Sequence, residues 1–322
     1  MAALQPQDAE LVQRGARARR TRAPLVDNAR AHRKDTKLAM SSAADTAAAA
    51  AVAAVAGSSE PAALPLSGRV AIVTGASRGI GRAIAAHLSS LGASVVLGYA
   101  ASAAEADALA AELPRAVAVR ADVSEEAGVR SLFDAAESAF GCAAPHILVA
   151  NAGVLDDKYP PLADTATADF DRVLAVNARG AFLCLREAAN RLPRGGGGRI
   201  VAVTSSVVAS SPTGYSAYTA SKAAVEAMVR TMAKELKGTR VTANCVAPGA
   251  TATDMFFAGK SDETVRRTAE TNPMERLGEA GDIAPVVGFL CTDAAEWVNG
   301  QVVRVNGGSE ERGSDKNQLI RI

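Results

Sequence analysis

Tyr218 and Lys222 stand four residues apart, so on a helix they share one face. A phenol with its ordinary pKa near 10 is a poor acid–base catalyst at neutral pH. A neighbouring ammonium favours the phenolate and draws that pKa toward the working range. Ser205 lies thirteen residues before Tyr218, just past the apolar run Arg199 to Val203. If that run is a strand, Ser205 sits at its carboxyl end, where open α/β sheets bind their ligands. Its hydroxyl can then hold a substrate oxygen against the phenol. Ser206 competes for this role by position.

A second group of residues suits phosphate rather than proton chemistry. The apolar run Val70 to Val73 leads into Thr74-Gly75-Ala76-Ser77-Arg78-Gly79-Ile80-Gly81, with glycines spaced G-x-x-x-G-x-G. Gly75 permits a sharp exit from a strand, Gly79 lets backbone approach a pyrophosphate, and Gly81 lets the next helix pack close to the sheet. The amino end of that helix offers free N–H groups and a positive dipole end to phosphates. An ordinary tight turn would use glycines too, but the place of this one after the first strand favours a nucleotide. A cofactor lacking the 2′-phosphate would call for an acid after the second strand. There Leu97 to Ser102 carries none, and the first is Glu105. Arg78 can pair a 2′-phosphate through its planar fork, so the cofactor expected is NADP(H).

Other chemistries fit poorly. The three histidines are His32, His87 and His146: one near the amino terminus, one inside the first helix, one just before a strand. None is placed as a triad base, and no metal site is expected. Cys142, Cys184, Cys245 and Cys291 lie more than 40 residues apart, with no CxxC spacing. A reduced, disulfide-free protein follows.

The elements that must position these residues are legible in the apolar pattern. Val70–Val73, Ser94–Leu97, Ala116–Val119, His146–Ala150, Arg199–Val203, Arg240–Val246 and Gln301–Val305 read as strands. Between them Ile80–Leu91, Ala103–Leu113, Ser124–Phe140, Val173–Arg191 and Ala217–Leu236 read as helices. Ser124 is a good N-cap for the third helix. This alternation predicts an α/β fold: one doubly wound domain with about seven parallel strands flanked by helices.

With the strands in place, the motifs in their order resemble the short-chain dehydrogenase/reductase superfamily over about residues 68–308. The carriers are Thr74 to Gly81, Asp122-Val123, Asn151-Ala152-Gly153, Asn177, Ser205, Tyr218 with Lys222, and Pro248-Gly249. The resemblance implies a Rossmann-type domain in which Tyr218 donates a proton to a carbonyl oxygen while nicotinamide delivers hydride to the carbon. It implies that Lys222 also holds the nicotinamide ribose and that Asn177 supports a water in the proton relay. Asn151, Ala152 and Gly153 would line the adenine-ribose side of the cofactor groove. Asp122 would approach the adenine through its side chain and Val123 through its backbone. Pro248, Gly249 and Thr253 would pack against the nicotinamide and its carboxamide. Each also has a plainer reading; Asn151 and Asp122 could be turn or cap residues.

Within the superfamily the chain most resembles plant carbonyl or aldehyde reductases using NADPH. A 3-oxoacyl-carrier-protein reductase or a sugar-polyol dehydrogenase has nearly the same frame, and a nucleotide-sensing or scaffold protein could keep the fold without catalysis. The segment Thr251 to Pro273, with Met255, Phe256 and Phe257, is expected either as an apolar lid over the substrate or as a helix packed into the core. The resemblance implies a homotetramer or homodimer built on the two long helices. The charged tail 309–322 departs from the expected ending at that interface.

Composition sets the outer bounds. The 322 residues are 48% apolar and 21% charged, too apolar for a disordered chain. The formal net charge of +1 argues against a dedicated nucleic-acid binder. The Ala-rich run from Thr46 to Gly57 is too short to span a bilayer, so no membrane partner is expected. Residues 1–40 hold nine basic and four acidic side chains, leaving the remainder mildly acidic. Residues 1–64 therefore read as a disordered or targeting extension, either a plastid-type transit peptide on a plastid protein or a plain tail, with Met40 a second possible start, on a cytoplasmic one. Residues 65–308 form the expected catalytic domain, and secretion is not expected.

Overall fold

The computed structural model describes residues 63–309; nearly all of the amino-terminal extension, the Met40 start and residues 310–322 of the charged tail lie outside them. Strand β1, Val70–Thr74, is buried along its whole length, as its unbroken apolar run requires of a central parallel strand. It pairs in parallel with β2, Ser94–Tyr99, on one side and β4, Ile147–Ala150, on the other, with Ile72 opposite both Val96 and Leu148. Strands β3 (Ala116–Arg120), β5 (Arg199–Val203), β6 (Thr242–Pro248) and β7 (Val302–Val305) complete the order β3-β2-β1-β4-β5-β6-β7. Both edge strands, β3 and β7, are only partly buried.

Helices cover both faces of the sheet. On one side α1 (Gly79–Ser90) and α2 (Ala103–Glu112) bury Ile84, Leu88 and Leu109 against Val73, Val95 and Leu97. On the other, α3 (Glu126–Phe140) buries Leu132 and Phe133 against Ile72 and Val96. Its first turn starts later than its sequence suggests. The Ser124 amide and hydroxyl both donate to the Asp122 carboxylate, at 2.9 and 2.7 Å, so Ser124 closes a turn instead of capping the helix.

The long helix expected over Val173–Arg191 starts earlier and is not uniform. It runs as α4 (Thr167–Leu174), a wider π segment at Ala175–Gly180, and α5 (Ala181–Arg191). Such widened turns often occur at functional sites, and Asn177 sits within this one. After a short α6, Val207–Ser210, the 20-residue α7 spans Ser216–Glu235. The segment after β6 carries α8 (Asp254–Phe257) and α9 (Asp262–Thr271).

Beyond it α10, Ala280–Cys291, contains Pro285 and has no counterpart in the apolar periodicity. A reciprocal capping box between Glu279 and Asp282 starts it, and Ile283, Val287 and Leu290 bury it. Gly288 accommodates the His87 ring of α1, which would lie 2.5 Å from an added Cβ.

Candidate active site

The strand order reverses between β1 and β4, which opens a crevice at their carboxyl ends. Gly75 makes the exit from β1 at φ +65°, a conformation that side chains resist. A Cβ on Gly81 would collide with the Gly75 carbonyl, so α1 starts against the turn itself. Asn151, after β4, ties this turn down. Its side-chain amide donates to the carbonyls of Thr74 at 2.9 Å and Gly75 at 3.1 Å. Thr74 Oγ1 in turn accepts from the amides of Asn151 and Ala152, each at 3.0 Å. Asn151 thus shapes the crevice as well as lining it.

One cleft of about 730 Å³ runs from this turn across the sheet edge. Gly75, Ser77, Arg78, Gly79, Ile80 and Gly81 form one end, with Tyr99 to Ser102 and Asp122-Val123 beside them. Ala152 and Gly153 form its floor with Asn151, and Pro248, Gly249 and Thr253 a side wall. Ser205, Tyr218 and Lys222 line the far end. Of the four catalytic residues expected from the sequence, Asn177 alone does not line it. It is buried behind, where its Oδ1 accepts from the Val154 amide at 2.8 Å. Its Nδ2 donates to the Val154 carbonyl at 2.9 Å and to Ser221 Oγ at 3.1 Å. The side chain has no donor left for a water.

Ser205 and Ser206 are separated by their partners. Ser206 Oγ donates to the Pro248 carbonyl at 2.9 Å, whereas the Ser205 hydroxyl lies near enough to the Tyr218 phenol to draw its pKa down. The expected pull of Lys222 on that phenol is overturned. Lys222 Nζ donates to the Val203 carbonyl at 2.9 Å and sits 5.6 Å from the Tyr218 ring centroid. Burial, followed by Tyr215, pushes the phenol up to about 12 despite the opposing pull of the Ser205 hydroxyl. The same burial pushes the Lys222 ammonium down to about 8.

Arg78 reaches across the mouth of the cleft to Asp254 at 3.4 Å, with both side chains exposed. Thr253 caps α8, accepting from the Phe256 amide, and its methyl lies against Gly79. Met255 and Phe256 line the cleft, while Phe257 is 44% exposed. The segment after β6 is therefore a wall of the cleft and not a core helix. Sequence reasoning missed Tyr159, Tyr215 and Lys260, which cluster on this wall and belong to no motif. His146 accepts from the Val70 amide at 3.2 Å. Among the described residues no cluster of metal-ligating side chains occurs, and no helix is long and apolar enough to cross a membrane.

This architecture has close relatives. Residues 75–310 match the family model described as enoyl-(acyl carrier protein) reductase. Over 258 residues the chain is 58% identical to the NADPH-dependent aldehyde reductase-like protein, chloroplastic, of Arabidopsis thaliana, covering 76% of this chain and 95% of that one. It is 56% identical over 253 residues to a short-chain type dehydrogenase/reductase of Picea abies, covering 76% and 93%. The solved short-chain dehydrogenase of Burkholderia cenocepacia in complex with NADP superposes with a TM-score of 0.70 at 36% identity, covering 76% of this chain and 99% of that one. With its switch-point cleft, its glycine turn and relatives of this identity and coverage, this chain belongs to the short-chain dehydrogenase/reductase family.

Proposed function

We propose that residues 65–308 catalyse the NADPH-dependent reduction of aldehyde or ketone carbonyls to alcohols. The observation that carries this reading is the half-buried Tyr218, beside Ser205 and Lys222 in a cleft that also takes in the glycine turn. The relatives named for NADPH-dependent aldehyde reduction supply the substrate class.

The residues present fit NADP(H). Gly81 lets α1 start against the turn, so that its amino end faces a pyrophosphate in the cleft, Tyr99 to Ser102 bring no carboxylate to the ribose, and the exposed Arg78 can take a 2′-phosphate. Gly79 and Ile80 would flank the phosphates with Ser77. Asp122, Val123, Asn151, Ala152 and Gly153 would bound the adenine and its ribose, and Pro248, Gly249 and Thr253 the nicotinamide. When bound, the cofactor supplies hydride to the carbonyl carbon.

The protein's own part is proton chemistry. Ser205 holds the carbonyl oxygen, and Tyr218 gives it the phenolic proton. A phenol titrating at about 12 keeps that proton at physiological pH, as a donor must. Lys222, still mostly charged at neutral pH with a pKa near 8 and anchored on the Val203 carbonyl, holds the nicotinamide ribose. Asn177 holds Val154 against the widened turn.

Assembly and location belong to the same reading. Phe170 and Phe182 are 38% and 43% exposed on α4 and α5, an apolar surface suited to a homodimer or homotetramer through the long helices. The Arg-rich residues 1–64 are read as a plastid transit peptide, in keeping with the chloroplastic relative.

A substrate panel tests the whole. NADPH and NADH are offered with aldehydes, ketones, acetoacetyl thioester and, in view of the family model's description, an enoyl thioester. Carbonyl-dependent oxidation of NADPH is expected. Turnover confined to the enoyl thioester would replace the reading, and tight NADPH binding with no turnover would favour a nucleotide-sensing protein.

A further inference from the structure

Lys260 lies between α8 and α9 on the cleft wall, in surroundings unusual for a lysine. Its Nζ donates to the Phe256 carbonyl at 2.8 Å and to the Tyr159 hydroxyl, which itself donates to the Ala258 carbonyl at 2.9 Å. The ammonium stands 4.2, 4.7 and 5.7 Å from the ring centroids of Tyr159, Phe256 and Tyr215. It is partly buried, and among the described residues no carboxylate pairs with it. An ammonium has three donors, and the protein takes two. Rings and carbonyls compensate a buried cation only in part, because neither carries a negative charge.

The Tyr215 ring neighbours both this cation and the reacting end. Its centroid is 6.4 Å from that of Tyr218 and 5.7 Å from the Lys260 ammonium, and all three residues line the same cleft. A substrate laid along Tyr215, with its carbonyl at Tyr218 and Ser205, would bring its far end to Lys260. Met255 and Phe256 make the intervening wall apolar, which suits a hydrocarbon spacer.

We infer that Lys260 is an anion-recognising residue of the substrate site, which makes carbonyl compounds bearing a carboxylate on a short apolar spacer the preferred substrates. The inference rests on the carbonyl-reductase reading for its chemistry but can be measured without turnover. A carboxylate oxygen would take the third donor and supply the missing charge in a half-desolvated setting, where such a bond is strongest. The competing role for Lys260 is structural, latching the α8 to α9 segment onto Tyr159.

The test uses the full chain with 4-carboxybenzaldehyde and benzaldehyde, probes that differ only in the distal carboxylate. Binding is measured calorimetrically in the presence of NADP⁺, where reduction cannot occur, and kcat/KM is measured with NADPH. The wild type is expected to favour the carboxylated probe by about tenfold or more in both measurements. In Lys260→Met that ratio should fall to near one, and Lys260→Arg should restore most of it. Equal binding of the two probes by the wild type, or an equal loss on both in Lys260→Met, would leave only the latch and overturn the inference. Absence of NADPH oxidation with either probe would count against the reductase reading alone, since the binding ratio still reports on Lys260.

Discussion

The Lys222 ammonium donates to the Val203 carbonyl at 2.9 Å and not to the Tyr218 phenol, although both side chains leave one face of α7. Helical spacing brings the two groups to the same side but does not set where a flexible lysine ends. The nearest strong acceptor left by the sheet edge captures it. Tyr218 is left to burial, which keeps its proton on, and Lys222 to burial, which weakens its hold on its own.

The first prediction is a pH dependence of stability. The pKa of Lys222 falls from an ordinary 10.5 to about 8 in the folded chain. Between these values the unfolded state binds more protons, so this group makes stability rise with pH across that window. Cys184, Cys245, Cys291 and Tyr218, all pushed up to about 12, work the other way at higher pH. The difference between wild type and Lys222→Met isolates the lysine. Relative to the variant, the wild type should gain stability from pH 8 toward 10.5, read from Tm in a pH series. Parallel curves would mean that Lys222 is not held as described.

Tyr218→Phe removes the proton donor and leaves the ring. Loss of a positioned general acid costs about 10²–10⁴-fold in rate, so kcat should fall by that order while the Kd for NADPH changes little. Fluorescence titration and steady-state NADPH oxidation separate the two. A kcat near normal would remove Tyr218 from the donor role.

Much of this site could be read from the sequence because its parts are local. The glycine turn, Tyr218 with Lys222, and Ser205 each lie at the end of a strand or within one helix, and strand order then carries them to one cleft. What escaped reading depends on partners far along the chain. Asn151 holds Thr74 and Gly75 from about 76 residues away, and Lys260 meets Tyr159 across 101. Helix α10 was hidden because Pro285 and Gly288 interrupt its pattern, while its burial against α1 and its capping box sustain it. The widened turn at Asn177 has no apolar signature, and the clasp of its side chain on Val154 reaches back 23 residues.

Arg78 should set cofactor choice. Its guanidinium is exposed and pairs loosely with Asp254, so a 2′-phosphate can displace that partner at little cost. Charge-assisted hydrogen bonds to a phosphate contribute about 1.5–3 kcal/mol, or roughly 10- to 100-fold in affinity. Arg78→Ala should weaken NADPH by that factor and leave NADH nearly unaffected, as read from Kd values for both. Equal losses would assign the arginine to the shared pyrophosphate.

Asn151 allows the sharpest separation of structural from direct roles at the cofactor turn. Its amide donates to two carbonyls, Thr74 and Gly75, and so fixes the φ +65° corner at Gly75. Asn151→Ala deletes both bonds, at about 1–3 kcal/mol if the carbonyls stay buried. Asn151→Asp keeps the shape but aims a carboxylate at the same two oxygens, adding repulsion to the lost bonds. The aspartate variant should therefore be less stable than the alanine variant at neutral pH, with weaker NADPH binding as the corner shifts. Protonation restores a donor, so the folded-state pKa of that new carboxyl should lie above its ordinary value of about 3.9. A group raised in this way loses its stabilising contribution as pH rises through the folded value. The deficit of Asn151→Asp relative to Asn151→Ala should then shrink as pH is lowered toward about 5, in Tm and in the Kd for NADPH alike. A deficit that does not change with pH, or an aspartate variant as stable as wild type, would show that the Gly75 corner does not depend on the amide of Asn151.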